Sequence, residues 1–233
     1  EYWSPRMRTA LTRARNAGTN IAFFGANGIF RRIRFASTAL GPDRLEINYK
    51  VAAEDPLFGN DNAAVTANWP APPAADPESA LVGPEYACNL GPGNISDGIV
   101  VAPNSWIFAG TGVGAGQALP GLIASETDAV EPADPTPRPL EVLLHSPVTC
   151  PSGGPSVADT TYYTAPSGAG VFDAGTIAWA CAINARCVHA VPPQTEDVVR
   201  HATDNILLAF AADPAGYQFP AQDNLAALHV SGS

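Results

Sequence analysis

Apolar residues recur along this chain with changing period, and each change predicts an element. In "EYWSPRMRTALTRARNAG" Ser4 is a good N-cap and Pro5 takes the first helical position; Met7, Ala10, Leu11 and Ala14 then repeat at i, i+3, i+4 and i+7 before Gly18 stops the helix. The pattern predicts a helix with one apolar face. "TNIAFFGAN" follows, a near-continuous apolar run of strand length ending at Gly25, as expected of a strand buried on both faces of a parallel sheet. Two short strands are predicted from "FRRIRF" through "DRLEINYK". Residues 51–104, rich in Pro, Ala, Gly and Asp and without clear period, read as a long loop region pinned by packing or by Cys88. "NSWIFAGTG" reads as a strand running into a glycine turn, "PLEVLLHSP" as another strand, and "TTYYTAPSGAGVFDAGTIAWACAI" as two strands joined by a Pro/Gly turn. In "TEDVVRHATDNILLAFAAD", Val199, Ala202, Ile206, Leu207 and Phe210 share one helical face, with Glu196 and Asp197 at the favourable N-terminal end.

A helix leading into a buried strand is half of a βαβ unit, so the fold class expected is α/β. The other half, a strand before Glu1, would lie upstream. No internal repeat and no clean linker divides the chain, and residues 1–233 read as one domain portion with a loop-rich insertion at 51–104. In open α/β sheets chemistry gathers at the carboxyl ends of the strands. "EYWS" and "GAN" would each occupy such an end and should be neighbours, which makes Glu1 to Trp3 an active-site loop whose supporting strand precedes the sequence.

Composition narrows the partners. A formal charge of -10 and a pI near 4.6 argue against nucleic acid, because phosphate neutralisation needs a basic stripe. Small molecules or other proteins fit better. No run approaches the roughly 18 apolar residues of a membrane span, and a start on Glu suggests a chain cut from something longer or a mature secreted form. Lys50 is the single lysine among 12 basic residues, a bias typical of a GC-rich, actinobacterial-like composition. Four cysteines permit three pairings. The short loop "CAINARC" favours Cys181 with Cys187, leaving Cys88 with Cys150, against the alternative of four buried free thiols. Two disulfides imply an oxidising compartment, secreted or in the cell envelope.

The glycines of "GTGVGAGQALPG" do not make a phosphate loop, since Pro120 and Gly121 interrupt the helix that a dinucleotide site needs. His145, His189, His201 and His229 are scattered singly and read as surface or satisfied histidines. Carboxylates remain, and spacing alone does not choose among Glu1, Glu126, Asp128 and Glu131. Glu126 follows the apolar "PGLIAS", which would carry its carboxyl into a partly buried place. Asn27 reads, on residues alone, as a strand-end turn residue beside two glycines.

"EYWSPRMRTALTRARNAGTNIAFFGANGIFRRIRF", "WIFAGTGVGAGQALPGLIASETD", "YYTAPSGAGVFDAGTIAWA" and "ATDNILLAF" together resemble the C-terminal portion of the large subunit of the N,N-dimethylformamidases and their relatives. The resemblance implies a three-layer α/β domain with a mainly parallel sheet, similar to class I glutamine amidotransferases, with added strands and long loops. It implies a mononuclear iron, with Glu1 as its ligating carboxylate. Asn27 matches a polar residue of the site and Glu126 the acid that assists catalysis. The remaining iron ligands, two tyrosines, would come from an upstream segment or a second chain of the same protein, and Ser125 stands where the family usually has Tyr. The activity implied is hydrolysis of an amide or other C–N bond in a small molecule by a secreted enzyme. The alternative is a non-catalytic envelope or ligand-binding protein that keeps the fold without the metal.

Overall fold

The computed structural model describes residues 1–131, 135–151, 154–187 and 189–229, the side chain of His229 excepted. The chain opens with β1 (Tyr2–Trp3), α1 (Pro5–Asn16) and β2 (Ile21–Phe23), then β3 (Arg31–Arg32), β4 (Arg34–Thr38) and β5 (Gly41–Ile47). Next come β6 (Ala67–Asn68), α2 (Ser79–Val82), β7 (Glu85–Asn89), β8 (Ile95–Ile99), β9 (Ala118–Ala124) and β10 (Glu126–Ala129). The long strands β11 (Leu140–Cys150) and β12 (Gly154–Thr164) precede β13 (Gly170–Asp173), α3 (Ala178–Ile183), α4 (Pro193–Ala212) and α5 (Leu225–His229).

The architecture is mixed α/β with several small sheets. The largest has the order β11-β12-β13-β2, and its alternating side chains feed two cores. Tyr162 and Phe172 point to one side, where Trp179 of α3 and Val199, Ala202 and Ile206 of α4 cover them. Tyr163 and Val171 point to the other, with Leu11 of α1 and Leu225 of α5. Trp179 donates its indole N–H to Thr203 Oγ1 at 3.1 Å, so this large buried side chain leaves no orphan donor.

Parallel pairing is confined to β1 with β3 and β2 with β13; the other pairings among the described residues are antiparallel. The expected mainly parallel sheet is therefore not what these strands form. The reason is connection length: β11 to β12 and β12 to β13 turn within a few residues, and a parallel pair needs a crossover of a dozen or more. β2 does run parallel to its neighbour, but only Ile21 is buried, with Ala22 and Phe23 half-buried.

Other expectations are corrected. Residues 51–104 carry β6, α2, β7 and β8. "NSWIFAG" folds as a 3-10 turn over Trp106–Phe108. The buried residue of α1 is Arg8, while Met7 and Ala10 face solvent. Arg8 donates to the Asp76 carbonyl (2.6 Å), Asp76 Oδ1 (2.8 Å) and the Pro77 carbonyl (2.7 Å), and lies over the Trp69 ring. A guanidinium this fully satisfied buries its stem as an apolar residue would. On α4, Leu207 is exposed and Val198 and Thr203 are buried in its place. Both disulfides form as the spacing favours, Cys88 with Cys150 and Cys181 with Cys187.

Candidate functional site

The parallel pair β2–β13 brings two carboxyl ends together, with Phe23 opposite Asp173. Past β2 the chain turns through Asn27, a buried non-glycine residue with φ 55°. That left-handed conformation is open to asparagine more readily than to most residues. Its backbone N–H donates to Asp128 Oδ1 at 2.8 Å. Past β13, Gly175 (φ 62°) donates its N–H to Asp173 Oδ1 at 2.7 Å and accepts from the Asp128 N–H at 3.1 Å. A side chain at 175 would also run into the Asp159 carbonyl. One glycine thus lays the end of β13 against β10.

Asp128 and Asp173 are both fully buried and lie close enough to bear on one another's ionisation. Glu78, also buried, accepts from the Ile29 N–H (3.0 Å) and the Tyr86 N–H (2.7 Å). Burial pushes the Asp128 carboxyl well above the carboxylate range, and the charges of Asp173 and Glu78 push it further against the Asn27 hydrogen bond. Burial does the same to Asp173, with the Gly175 hydrogen bond opposing and the Glu78 charge adding. Burial raises Glu78 too, against its two N–H donors. Three buried carboxyls that raise one another's pKa do not ionise independently, so they titrate as a unit, each above its ordinary value.

The three sequence-derived candidates gather around this cluster. Glu1 donates its backbone nitrogen to the Gly28 carbonyl at 2.9 Å, next to Asn27, and its carboxylate lies 3.7 Å from Arg31 Nε. Glu126 heads β10 two residues before Asp128, is half-buried, and its backbone carbonyl accepts from the Ile177 N–H at 3.2 Å. Burial raises the pKa of the Tyr86 hydroxyl first, and the charges of Glu126, Glu1 and Asp128 raise it further. Asn27 Oδ1 is buried with no hydrogen-bond partner among the described residues. Beside Ser125 and Ile177 opens a cavity of about 600 Å³, walled also by Pro92, Ile95, Ala124 and Ala178.

Asp128 was one of four carboxylates that spacing did not separate; Tyr86, Glu78 and Asp173 were not singled out. Tyr86 and Glu78 fall in the stretch read as loop, where no periodicity exists to signal them. Asp173 closes an apolar strand run, and a carboxylate at that point was the available signal. His145 pairs with Asp159, His189 bonds the Gly121 carbonyl and the His201 ring lies against Gly110; the His229 side chain falls outside the described residues.

A family model described as N,N-dimethylformamidase beta subunit-like, C-terminal, matches residues 1–194. The chain belongs to this family. Comparison with curated proteins finds no match. As a dimethylformamidase-like, beta-subunit-like chain, it points to a hydrolase with a partner subunit. Among the described residues no three His, Cys, Asp or Glu side chains converge so as to hold a metal ion. Glu1 offers one carboxylate, and that carboxylate faces Arg31. Ferric iron asks for several anionic oxygens, so the residues of this chain do not by themselves fit the metal. No helix among the described residues is long and apolar enough to cross a membrane.

Proposed function

We propose that this protein hydrolyses an amide or other C–N bond of a small molecule, with Glu126 and Asn27 as its catalytic residues. The observation that carries this is the convergence of Glu1, Asn27 and Glu126 on one buried acid cluster at the carboxyl ends of β2 and β13. In the reaction, a water oxygen bonds to the carbonyl carbon, Glu126 takes the released proton and delivers it to the nitrogen as the C–N bond breaks, leaving a carboxylic acid and an amine. Asn27, locked in place through its backbone N–H, donates its side-chain amide to the oxygen that gains charge. The 600 Å³ cavity takes the substrate's apolar part.

Residues upstream of Glu1, or a second chain, complete the site in this reading: they supply the tyrosine ligands of an iron to which Glu1 adds one carboxylate, and the strands that make the sheet three-layered and amidotransferase-like. Residues 1–233 form the C-terminal portion of that single domain. The two disulfides support a secreted or envelope location. The test uses the full-length, natively purified protein, with amine release from a panel of amides and bound iron both measured. Glu126→Gln should lower turnover by about 100-fold or more with iron retained, and Glu1→Gln should lose the iron. A wild-type rate in Glu126→Gln removes Glu126 from the mechanism. No amine release and no iron in the unaltered protein leaves a ligand-binding envelope protein.

A further inference from the structure

A second cavity, about 430 Å³, lies between residues 101–106, the start of β11 and residues 219–224, and shares no wall residue with the cluster above. Glu141 forms part of its wall, yet the residue is only 4% exposed. Burial lifts its carboxyl to about 7, with the neighbouring Gln222 backbone and Ser105 side chain opposing the rise. Trp106 lines the same cavity, stacked on Phe219 (ring centroids 4.6 Å apart, 18° between planes) and edge-on to Tyr162. Its indole N–H is buried with no acceptor among the described residues. The titratable group facing Glu141 from β12 is the Tyr162 hydroxyl, which donates to the Phe219 carbonyl at 2.8 Å. Ser105 and Gln222 face it from the other two walls, and neither carries a charge.

Tryptophan donates only, whereas a carboxyl near its pKa both donates and accepts. A ligand that satisfies both walls needs a carbonyl oxygen beside an N–H. An ammonium would leave the indole N–H unpaired, and a carboxylate would meet Glu141 in a chain of formal charge -10. We propose that this cavity binds a small carboxamide with an apolar or aromatic substituent, its carbonyl on Trp106 Nε1 and its N–H on the Glu141 carboxyl, against the Trp106–Phe219 stack. The proposal stands apart from the hydrolytic reading, since it concerns different residues and needs no turnover.

The test is calorimetric titration of the full-length protein with benzamide, with N,N-dimethylbenzamide, benzylamine and benzoate as controls. Benzamide should bind, and the dimethyl amide, which has no N–H, should bind at least about tenfold more weakly. Glu141→Gln, which keeps a donor and an acceptor, should bind benzamide within a few-fold of the unaltered protein. Glu141→Leu and Trp106→Phe should each weaken it about tenfold or more with thermal unfolding little changed. Asn27→Gly, at the other site, should leave it unaltered. Benzylamine binding more tightly than benzamide, and lost in Glu141→Gln, would make this a cation site and overturn the proposal. So would no benzamide binding at millimolar concentration, equal affinity for the dimethyl amide, or binding lost in Asn27→Gly and kept in Glu141→Leu.

Discussion

Replacing Asp173 with asparagine tests whether the buried acid cluster carries protons that the unfolded chain would release. Asp128 and Asp173 are sealed from solvent, and burial, then neighbouring carboxyl charge, holds both well above the ordinary aspartate range. An acid whose pKa is raised by folding contributes stability that is fully present below its unfolded pKa and lost as pH rises through the folded one. Each pH unit in that window removes roughly 1.4 kcal/mol per retained proton. From pH 5 to pH 7 one such proton makes the unaltered protein up to about 2.7 kcal/mol less stable. Asp173→Asn keeps an oxygen for the Gly175 N–H and has no proton to lose. The variant should therefore show a flatter pH dependence and exceed the unaltered protein at pH 7 by about 1 to 3 kcal/mol. Urea denaturation at pH 5 and pH 7, disulfides intact, gives the four numbers needed. Parallel losses at both pH values would show that Asp173 is held as an ordinary hydrogen-bonded carboxylate and refute the account of a pKa raised by folding.

The disulfide joining Cys88 to Cys150 spans 62 residues and the one joining Cys181 to Cys187 spans 6, so replacing the first pair with serine should cost about 4 kcal/mol and the second about 2, read by denaturant midpoint. His145 sits 2.6 Å from Asp159, and that hydrogen bond raises its pKa against partial burial. Its stabilisation is therefore full below the unfolded value of 6.5 and lost as pH rises through the folded one, so His145→Gln should cost more at pH 5.5 than at pH 8.5, by about 1 kcal/mol or less because the ring is partly exposed. Asn27→Gly should fold normally and Asn27→Ala should be about 1 kcal/mol less stable, from the left-handed backbone; both should lose amide turnover, and retained turnover in Asn27→Gly would remove the side chain from the mechanism.

What was legible in the sequence was local. The cap and proline that begin α1, the short cysteine loop, the long strands β11 and β12 and the apolar run at β2 each announce themselves within a dozen residues. Glu1, Asn27 and Glu126 were placed by motif resemblance; Asp128, which takes the Asn27 N–H, falls in the same resembling stretch as Glu126, whereas Glu78, which takes the Ile29 N–H, lies where no motif signals it. Strand direction was misjudged because a buried strand looks the same to a period count whether its neighbour runs parallel or not, while the short turns after Cys150 and Thr164 decide it. The buried face of α1 was misjudged because hydrophobic counting gives no weight to an arginine whose partners, Asp76 and Pro77, lie about seventy residues away.

The acid cluster is a cost in isolation, and the backbone around it shows what that cost secures. Asp128 accepts the Asn27 N–H and Glu78 accepts the Ile29 N–H, so two carboxyls pin one turn at amides two residues apart. The second oxygen of Glu78 takes the Tyr86 N–H and ties the turn to β7. Apolar residues at 78 and 128 would relieve the repulsion and leave three buried or half-buried donors unpaired, each at about 1 to 3 kcal/mol. Packing offers no substitute, because a backbone held at positive φ is set by hydrogen bonds to its amide rather than by the shape of its side chain. The same carboxyls that lower stability as pH rises therefore fix Asn27, and through Gly28 the position of Glu1, which is why the site and the pH sensitivity of the fold are expected to move together in any variant of Asp128 or Glu78.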